Sequence, residues 1–257
     1  MQRHVRSCVL ILGLAALPAA AWADDDGSPC SGLPSYAALK SALIAAVQTE
    51  TSGLDFQMWG TIVNRDGVVC AVAFSGANRG SQWPGSRVIS AQKANTANAF
   101  GLDGLALSTA NLYSAVQPGG SLYGLQHSNP VDTDVAYGGS PSAYGTAHDP
   151  MVGRRIGGVN VFGGGLGLYN AQHKIVGGVG VSGDTSCADH MIAWRVRKNL
   201  GFDHLGTVVG GPASLFAGDS THPDNIIFDI DAPKPSGFGH PTCLNTANPL
   251  TLPPVSP

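Results

Sequence analysis

Residues 160–184 read N-V-F-G-G-G-L-G-L-Y-N-A-Q-H-K-I-V-G-G-V-G-V-S-G-D, apolar residues alternating with glycine. Two extended runs, Val159 to Tyr169 and Ile175 to Ser182, flank the polar link Asn170-Ala171-Gln172-His173-Lys174, so the stretch predicts a β-hairpin. Glycine weakens a strand, and its repetition implies that something approaches the backbone closely: a packed helix, a neighbouring subunit or a flat ligand. The missing side chains are read as leaving a shallow, flat-walled recess for a guest or a sister chain.

Working outward, residues 186–200 carry Met191, Ile192, Trp194, Val196 and Leu200 at helical spacing, with Ser182 or Asp184 near the helix start. Upstream, residues 35–50 place Leu39, Ala42, Leu43, Ala46 and Val47 on one helical face behind Ser35 as N-cap. Phe56 to Val63 and Val68 to Phe74 flank Asn64-Arg65-Asp66-Gly67, whose Asp-Gly suits a tight turn between antiparallel strands. Residues 86–99 and 104–116 are helical in pattern, the first stopping at Gly101. The order predicts one α/β domain of the α+β kind over 35–201: a central antiparallel sheet of two hairpins with helices packed against it. It is preceded by an arm, 24–34, and followed by a tail, 202–257. Within it, the polar Gly/Pro/Ser-rich stretch 126–157 is too long for an ordinary connection and reads as a functional loop or an assembly arm.

The first 23 residues have Arg3, His4 and Arg6 before the apolar run Val9 to Leu14 and end in Ala21-Trp22-Ala23, the pattern of a signal peptide cleaved after Ala23. That run is too short to span a bilayer, and no second candidate span follows. A periplasmic or secreted location is expected. The chain has a formal charge of −3 and a charged fraction of 12%, which excludes the basic footprint of a nucleic-acid binder. Low charge with 35 glycines and 43% apolar residues suggests a homo-oligomer interface or an apolar patch. Cys8 leaves with the signal, so Cys30, Cys70, Cys187 and Cys243 remain, and two disulfides are expected in an oxidising compartment. Of the three possible pairings, Cys30–Cys70 with Cys187–Cys243 is preferred because it ties each arm to the domain.

Several motifs together resemble the GlcG/HbpS-like family of haem-binding proteins: the Arg65-Asp66-Gly67 hairpin, Ser90-Ala91-Gln92-Lys93-Ala94-Asn95-Thr96-Ala97, Gln117-Pro118-Gly119-Gly120-Ser121-Leu122-Tyr123-Gly124, and Phe162-Gly163-Gly164-Gly165 followed by Val176 to Gly183. The resemblance covers roughly residues 35–201. It implies a profilin-like fold, oligomers built through the glycine-rich face and, for some members, binding or slow breakdown of haem. The insertion and the cysteine-bearing tail depart from the family pattern.

Haem iron accepts an imidazole, thiolate, thioether or phenolate, and paired cysteines leave His, Met and Tyr. His190 is the first candidate as metal ligand because it lies where the glycine strand hands over to the last helix, with Asp184 or Asp189 available to orient its ring. Lys93 is read as an amine for an anionic group or a helix-face cation. His127 and Tyr123, with His148, Tyr137 and Tyr144, could let the insertion close over haem or another flat small molecule. Arg154-Arg155 is read as a propionate partner, with Arg155 in the proposed site. No hydrolase elbow, zincin motif or phosphate loop is present. Catalytic residues are not assigned. Two other readings are an enzyme or accessory subunit for a small organic acid or aldehyde, with His190 and Asp184 as acid and base, and a ligand-free assembly module.

Overall fold

A computed structural model describes residues 28–205 and 220–257. The expected signal segment 1–23 and the first residues of the 24–34 arm lie outside the described residues.

Helix α1 (Tyr36–Thr49) starts at Ser35, whose hydroxyl accepts the Ala38 N–H at 3.3 Å. Strands β1 (Trp59–Asn64) and β2 (Val69–Phe74) form the first hairpin. In its turn Asn64 Oδ1 accepts the N–H groups of Asp66 and Val68, and Gly67 takes the positive φ of 73° that the sequence expects there. Helix α2 (Ser86–Phe100) follows. Two short helices, α3 (Leu125–Ser128) and α4 (Thr133–Tyr137), lie in or beside the insertion. Strands β3 (Gly165–Tyr169) and β4 (Ile175–Ser182) form the second hairpin, and α5 (Ser186–Asn199) follows. The strands order as β2-β1-β4-β3, all antiparallel, with β1 running from Trp59↔Ser182 to Asn64↔Gly177 against β4. Two hairpins thus make one mixed α/β domain, as the sequence predicts.

One face of the sheet offers Ile62, Leu166, Leu168, Val179 and Val181 to Leu39, Leu43 and Ala46 of α1 and to Met191 and Ile192 of α5. The glycine face is occupied by α2. A Cβ on Gly178 would overlap the Ala94 carbonyl oxygen, one on Gly180 that of Ser90, and one on Gly165 that of Lys93. Helix backbone therefore lies against strand backbone, and Ser90 Oγ meets Thr61 Oγ1 at 2.8 Å across the contact. The body that fills the recess is the chain's own helix. Of the three bodies the sequence allows there, a packed helix, a neighbouring subunit and a flat ligand, the packed helix is the one present at Gly165, Gly178 and Gly180, and a guest or sister chain is not what fills that recess.

Two other expectations are corrected. Residues 104–116 form short 3₁₀ turns at Thr109–Leu112 and Ser114–Val116 instead of a helix. The Ser108 hydroxyl and Asn111 amide close a reciprocal cap, and Asn111 Nδ2 donates to the Asn225 carbonyl at 2.8 Å, so polar side chains capture the bonds a helix would use. Residues 159–164 are not strand: Gly164 takes a φ of 117°, and pairing begins at Gly165.

The insertion is packed. Val135, Ala136, Met151 and Ile156 join Trp59, Val63, Val72 and Val88 in a second core. Val69 of β2 donates to the Arg154 carbonyl at 2.9 Å and accepts from Gly153 at 2.8 Å, so the segment covers a sheet edge. Buried Arg87 of α2 pairs with buried Asp149 and donates to the Ala136 carbonyl at 2.8 Å. The tail packs on α5, where Trp194 Nε1 donates to the Pro253 carbonyl at 2.9 Å and Arg197 pairs with Asp224, both fully buried. Disulfides Cys30–Cys70 and Cys187–Cys243 fasten the two arms, the preferred pairing.

Candidate functional site

His190 lies in the first turns of α5, fully buried. Its Nε2 sits 3.2 Å from Asn225 Oδ1 and 3.1 Å from the Ile226 amide nitrogen, so the tail caps the ring edge. Nδ1 is buried without a hydrogen-bond partner. Burial pushes the imidazole pKa down to about 3, so the ring is neutral. A ligand could reach Nε2 only by displacing residues 225 and 226.

Asp184 does not orient that ring. Its carboxylate accepts the amides of Leu54 and Phe56 at 2.9–3.0 Å, pinning the loop before β1. Asp189, adjacent to His190, instead holds Lys93: Nζ lies 2.6 Å from Asp189 Oδ2 and 3.1 Å from the Val181 carbonyl, above the Phe162 ring at 4.8 Å. Asp189 Oδ1 accepts the amides of Gly183 and Asp184, both at 3.0 Å. Both charged groups are buried. Burial lowers the lysine pKa and raises that of the carboxyl to about 6, each opposed by the partner charge. Lys93 is thus a structural cation joining α2 to the start of α5.

Tyr123 is 61% exposed and packs edge-on to His127 at 6.4 Å, a pair on the surface. Arg155 donates through Nε to the Asp66 carbonyl at 3.0 Å and so braces the first turn. The six residues proposed from sequence do not converge on one site. The structure groups Lys93 near Asp184 through Asp189, encloses His190 under the tail, and leaves Tyr123, His127 and Arg155 elsewhere.

A different cluster does form a recess. Trp59, Arg79, Pro84, Gly85, Arg87, Val88, Tyr137 and Tyr144 line a cavity of about 280 Å³ between the start of α2 and the insertion. Arg87 lies over the Tyr144 ring at 3.6 Å, and Trp59 Nε1 donates to the Trp83 carbonyl at 3.0 Å, which fixes that wall. Tyr144 spends its hydroxyl on the carbonyls of Tyr137 and Gly138, leaving Tyr137, 66% exposed, as the phenol at the rim. Exposed Arg79 stands at the mouth. The two tyrosines are legible in the sequence as insertion aromatics. The α2 side is not, although Trp83-Pro84-Gly85, an aromatic and two turn residues before a helix, is a usable signal.

This sheet, closed by α1 and α5 on one side and by α2 on the other, defines an α+β domain on which residues 126–157 and the disulfide-stapled C-terminal residues pack. The chain matches the family described as "Haem degrading protein HbpS-like" over residues 37–197, more than half its length, and belongs to that family. Among solved structures it is similar to a PduOC–haem complex, with 23% identity and a TM-score of 0.44 over 63% of this chain and 89% of that one. It is also similar to the Klebsiella pneumoniae protein ORFY, with 24% identity and a TM-score of 0.43 over 65% and 90% of the two chains. A third similar structure is a double mutant of Streptomyces reticuli HbpS, with 19% identity and a TM-score of 0.42 over 73% and 99%. No curated protein matches the chain.

Proposed function

We propose that this chain is an exported haem- or tetrapyrrole-binding protein of the periplasm or medium, acting in binding, sensing or protection, and that the cavity between α2 and the insertion holds the ring. Family membership supports the ligand class. Two disulfides support the compartment. The observation that carries the site is its wall, built from Trp59, Pro84, Val88, Tyr137 and Tyr144 with Arg79 at the mouth. Aromatic and aliphatic faces suit a flat macrocycle, and a guanidinium suits a propionate through two parallel hydrogen bonds. Ligand pockets start at about 300 Å³, so this recess grips one edge of a macrocycle and leaves the rest at the surface.

Haem iron needs a donor atom, and the two candidates differ. His190 is enclosed at both nitrogens: Asn225 and Ile226 take Nε2, and the unpartnered Nδ1 is buried, so iron reaches neither without moving the residues that cover the ring. Tyr137 fits as an exposed phenol, a known type of axial ligand. Bound haem would supply redox-active iron; the chain's own work is to stack the ring, pair its carboxylates and keep one face from water. A homo-oligomer in this reading uses another surface, since α2 fills the glycine face. The acid–base reading lacks its geometry, because His190 and Asp184 face different partners.

Hemin titration followed by the Soret band tests this. Wild-type protein and His190→Ala give the same shifted band, while Tyr137→Phe changes it and Tyr137→Ala with Arg79→Ala weakens binding about 10-fold or more. An unshifted band in wild type removes the ligand class. Loss of the shift in His190→Ala alone moves the site beneath the tail.

A further inference from the structure

Among the described residues, three metal-ligand side chains of different origin converge at the N-terminus of α5. Cys187 Sγ, Cys243 Sγ and one ring nitrogen of His240 lie within 4.8 Å of one another. Cys187 and His240 are buried, and Cys243 is partly exposed. In the oxidised chain the sulfurs are joined. We infer that reducing Cys187–Cys243 converts this corner into a binding site for a thiophilic ion of the zinc class, held by both thiolates and His240 Nε2.

The surroundings are arranged as such a site requires. His240 Nδ1 lies 2.7 Å from the Pro241 carbonyl, which fixes the proton on Nδ1 and turns the Nε2 lone pair inward, where the Ser186 hydroxyl meets it at 3.1 Å. Orientation of a ligating imidazole by a backbone carbonyl on its other nitrogen is the usual second-shell pattern. Tyr113 packs against the ring at 4.9 Å. Cys243 Sγ accepts the Cys187 amide at 3.2 Å on the first turn of α5, and a helix N-terminus favours a thiolate over a thiol. Tetrahedral zinc with Zn–S bonds of about 2.3 Å separates two sulfurs by about 3.8 Å, a short parting of the two side chains. The fourth position falls to Ser186 Oγ, 3.5 Å from Cys243 Sγ, or to water. Among the described residues no such third ligand joins Cys30–Cys70.

The conversion balances. A dithiol reductant delivers two electrons and two protons to the disulfide and leaves as its own disulfide. The divalent ion then displaces both thiol protons to solvent and accepts the Nε2 lone pair. Reduction without metal leaves the tail held to α5 by its non-covalent contacts alone, whereas reduction with metal restores a link between Cys187 and Cys243.

The test uses the full chain with Cys8→Ser, Cys30→Ser and Cys70→Ser, reduced by a dithiol, desalted under argon and titrated with Co(II). Expected is about one Co(II) per chain with thiolate charge-transfer and tetrahedral bands, displaced by Zn(II), and none in the oxidised protein. His240→Ala weakens the ion by at least about 10-fold, the cost of losing even an outer partner. Wild-type protein gives a second readout: after reduction, zinc shields Cys187 and Cys243 from alkylation and leaves Cys30 and Cys70 reactive. Absence of the cobalt bands, equal affinity in His240→Ala, or zinc that shields none of the four cysteines would each overturn the site.

Discussion

On the α1/α5 side of the sheet, Ile62, Leu166, Leu168, Val179 and Val181 interdigitate with the side chains of Leu39, Leu43, Met191 and Ile192. On the α2 side, Gly165, Gly178 and Gly180 bring strand backbone against the backbone of Ser90, Lys93 and Ala94, and a lysine–aspartate pair is buried beside that contact. The first face is an ordinary apolar core, tolerant of altered side-chain volume at a graded cost. In the second the nearest atoms to Gly178 and Gly180 are helix backbone, which cannot adjust as a side chain can. That contact can accept no added atom without moving a whole helix.

The largest expected effect tests that rigidity. Gly180→Val leaves no cooperatively folded chain, because the new side chain overlaps the Ser90 carbonyl and the Ala94 amide, both backbone. Leu166→Ala, on the opposite face, leaves a folded protein weakened by about 2–5 kcal/mol. Urea melts of both compare the faces directly, and a Gly180→Val chain as stable as Leu166→Ala would abolish the distinction. Next in size is the buried pair. Lys93→Met strands the Asp189 carboxylate and costs about 3–5 kcal/mol. Adding Asp189→Asn recovers part of the loss, since the amide oxygen can still accept from Gly183 and Asp184. Failure of the second change to recover anything would mean that Lys93 acts through packing on Phe162 alone.

The same contrast explains what could be read from the sequence. Hairpins, the α1, α2 and α5 helices, the Ser35 cap and the Asp66-Gly67 turn follow from local patterns, and all appear. Glycine repetition announces a close neighbour but cannot say which, because a helix, a ligand and a second chain all demand the same missing Cβ atoms. The 104–116 segment misled because Ser108 and Asn111 satisfy its backbone locally, which apolar spacing does not register. The cavity residues were divided by distance in sequence: Tyr137 and Tyr144 stood out as insertion aromatics, but nothing local joins them to Arg79 and Val88. His190 stands out in the sequence because the glycine strand hands over to α5 just before it, but the two carboxylates that could orient its ring, Asp184 and Asp189, have other partners.

The smallest effect sets the tail side of α5 against the sheet side in their response to acid. His190 and His240 are held neutral, chiefly by burial, with pKa values lowered to about 3 and about 4. Unfolded, each takes a proton near pH 6.5, so between there and about pH 4 the unfolded chain binds more protons and each histidine removes stability as pH falls. Asp189 has the opposite sign. Its pKa is raised, chiefly by burial, to about 6. The folded chain therefore takes up that proton first, and stability rises from about pH 6 down to about 3.9. Each group contributes about 1.4 kcal/mol per pH unit, so two losses against one gain leave a net loss of that size between about pH 6 and 4. His190→Gln should flatten the profile, His190→Gln with His240→Gln should invert it, and Asp189→Asn should steepen it. The groups facing these residues are Lys93 for Asp189 and Asp224, Arg197 and His240 for His190, so Asp189→Asn also removes the charge that opposes the burial of Lys93. Urea melts at each pH read the slope, and a His190→Gln profile parallel to wild type would show that this imidazole takes up protons equally in both states.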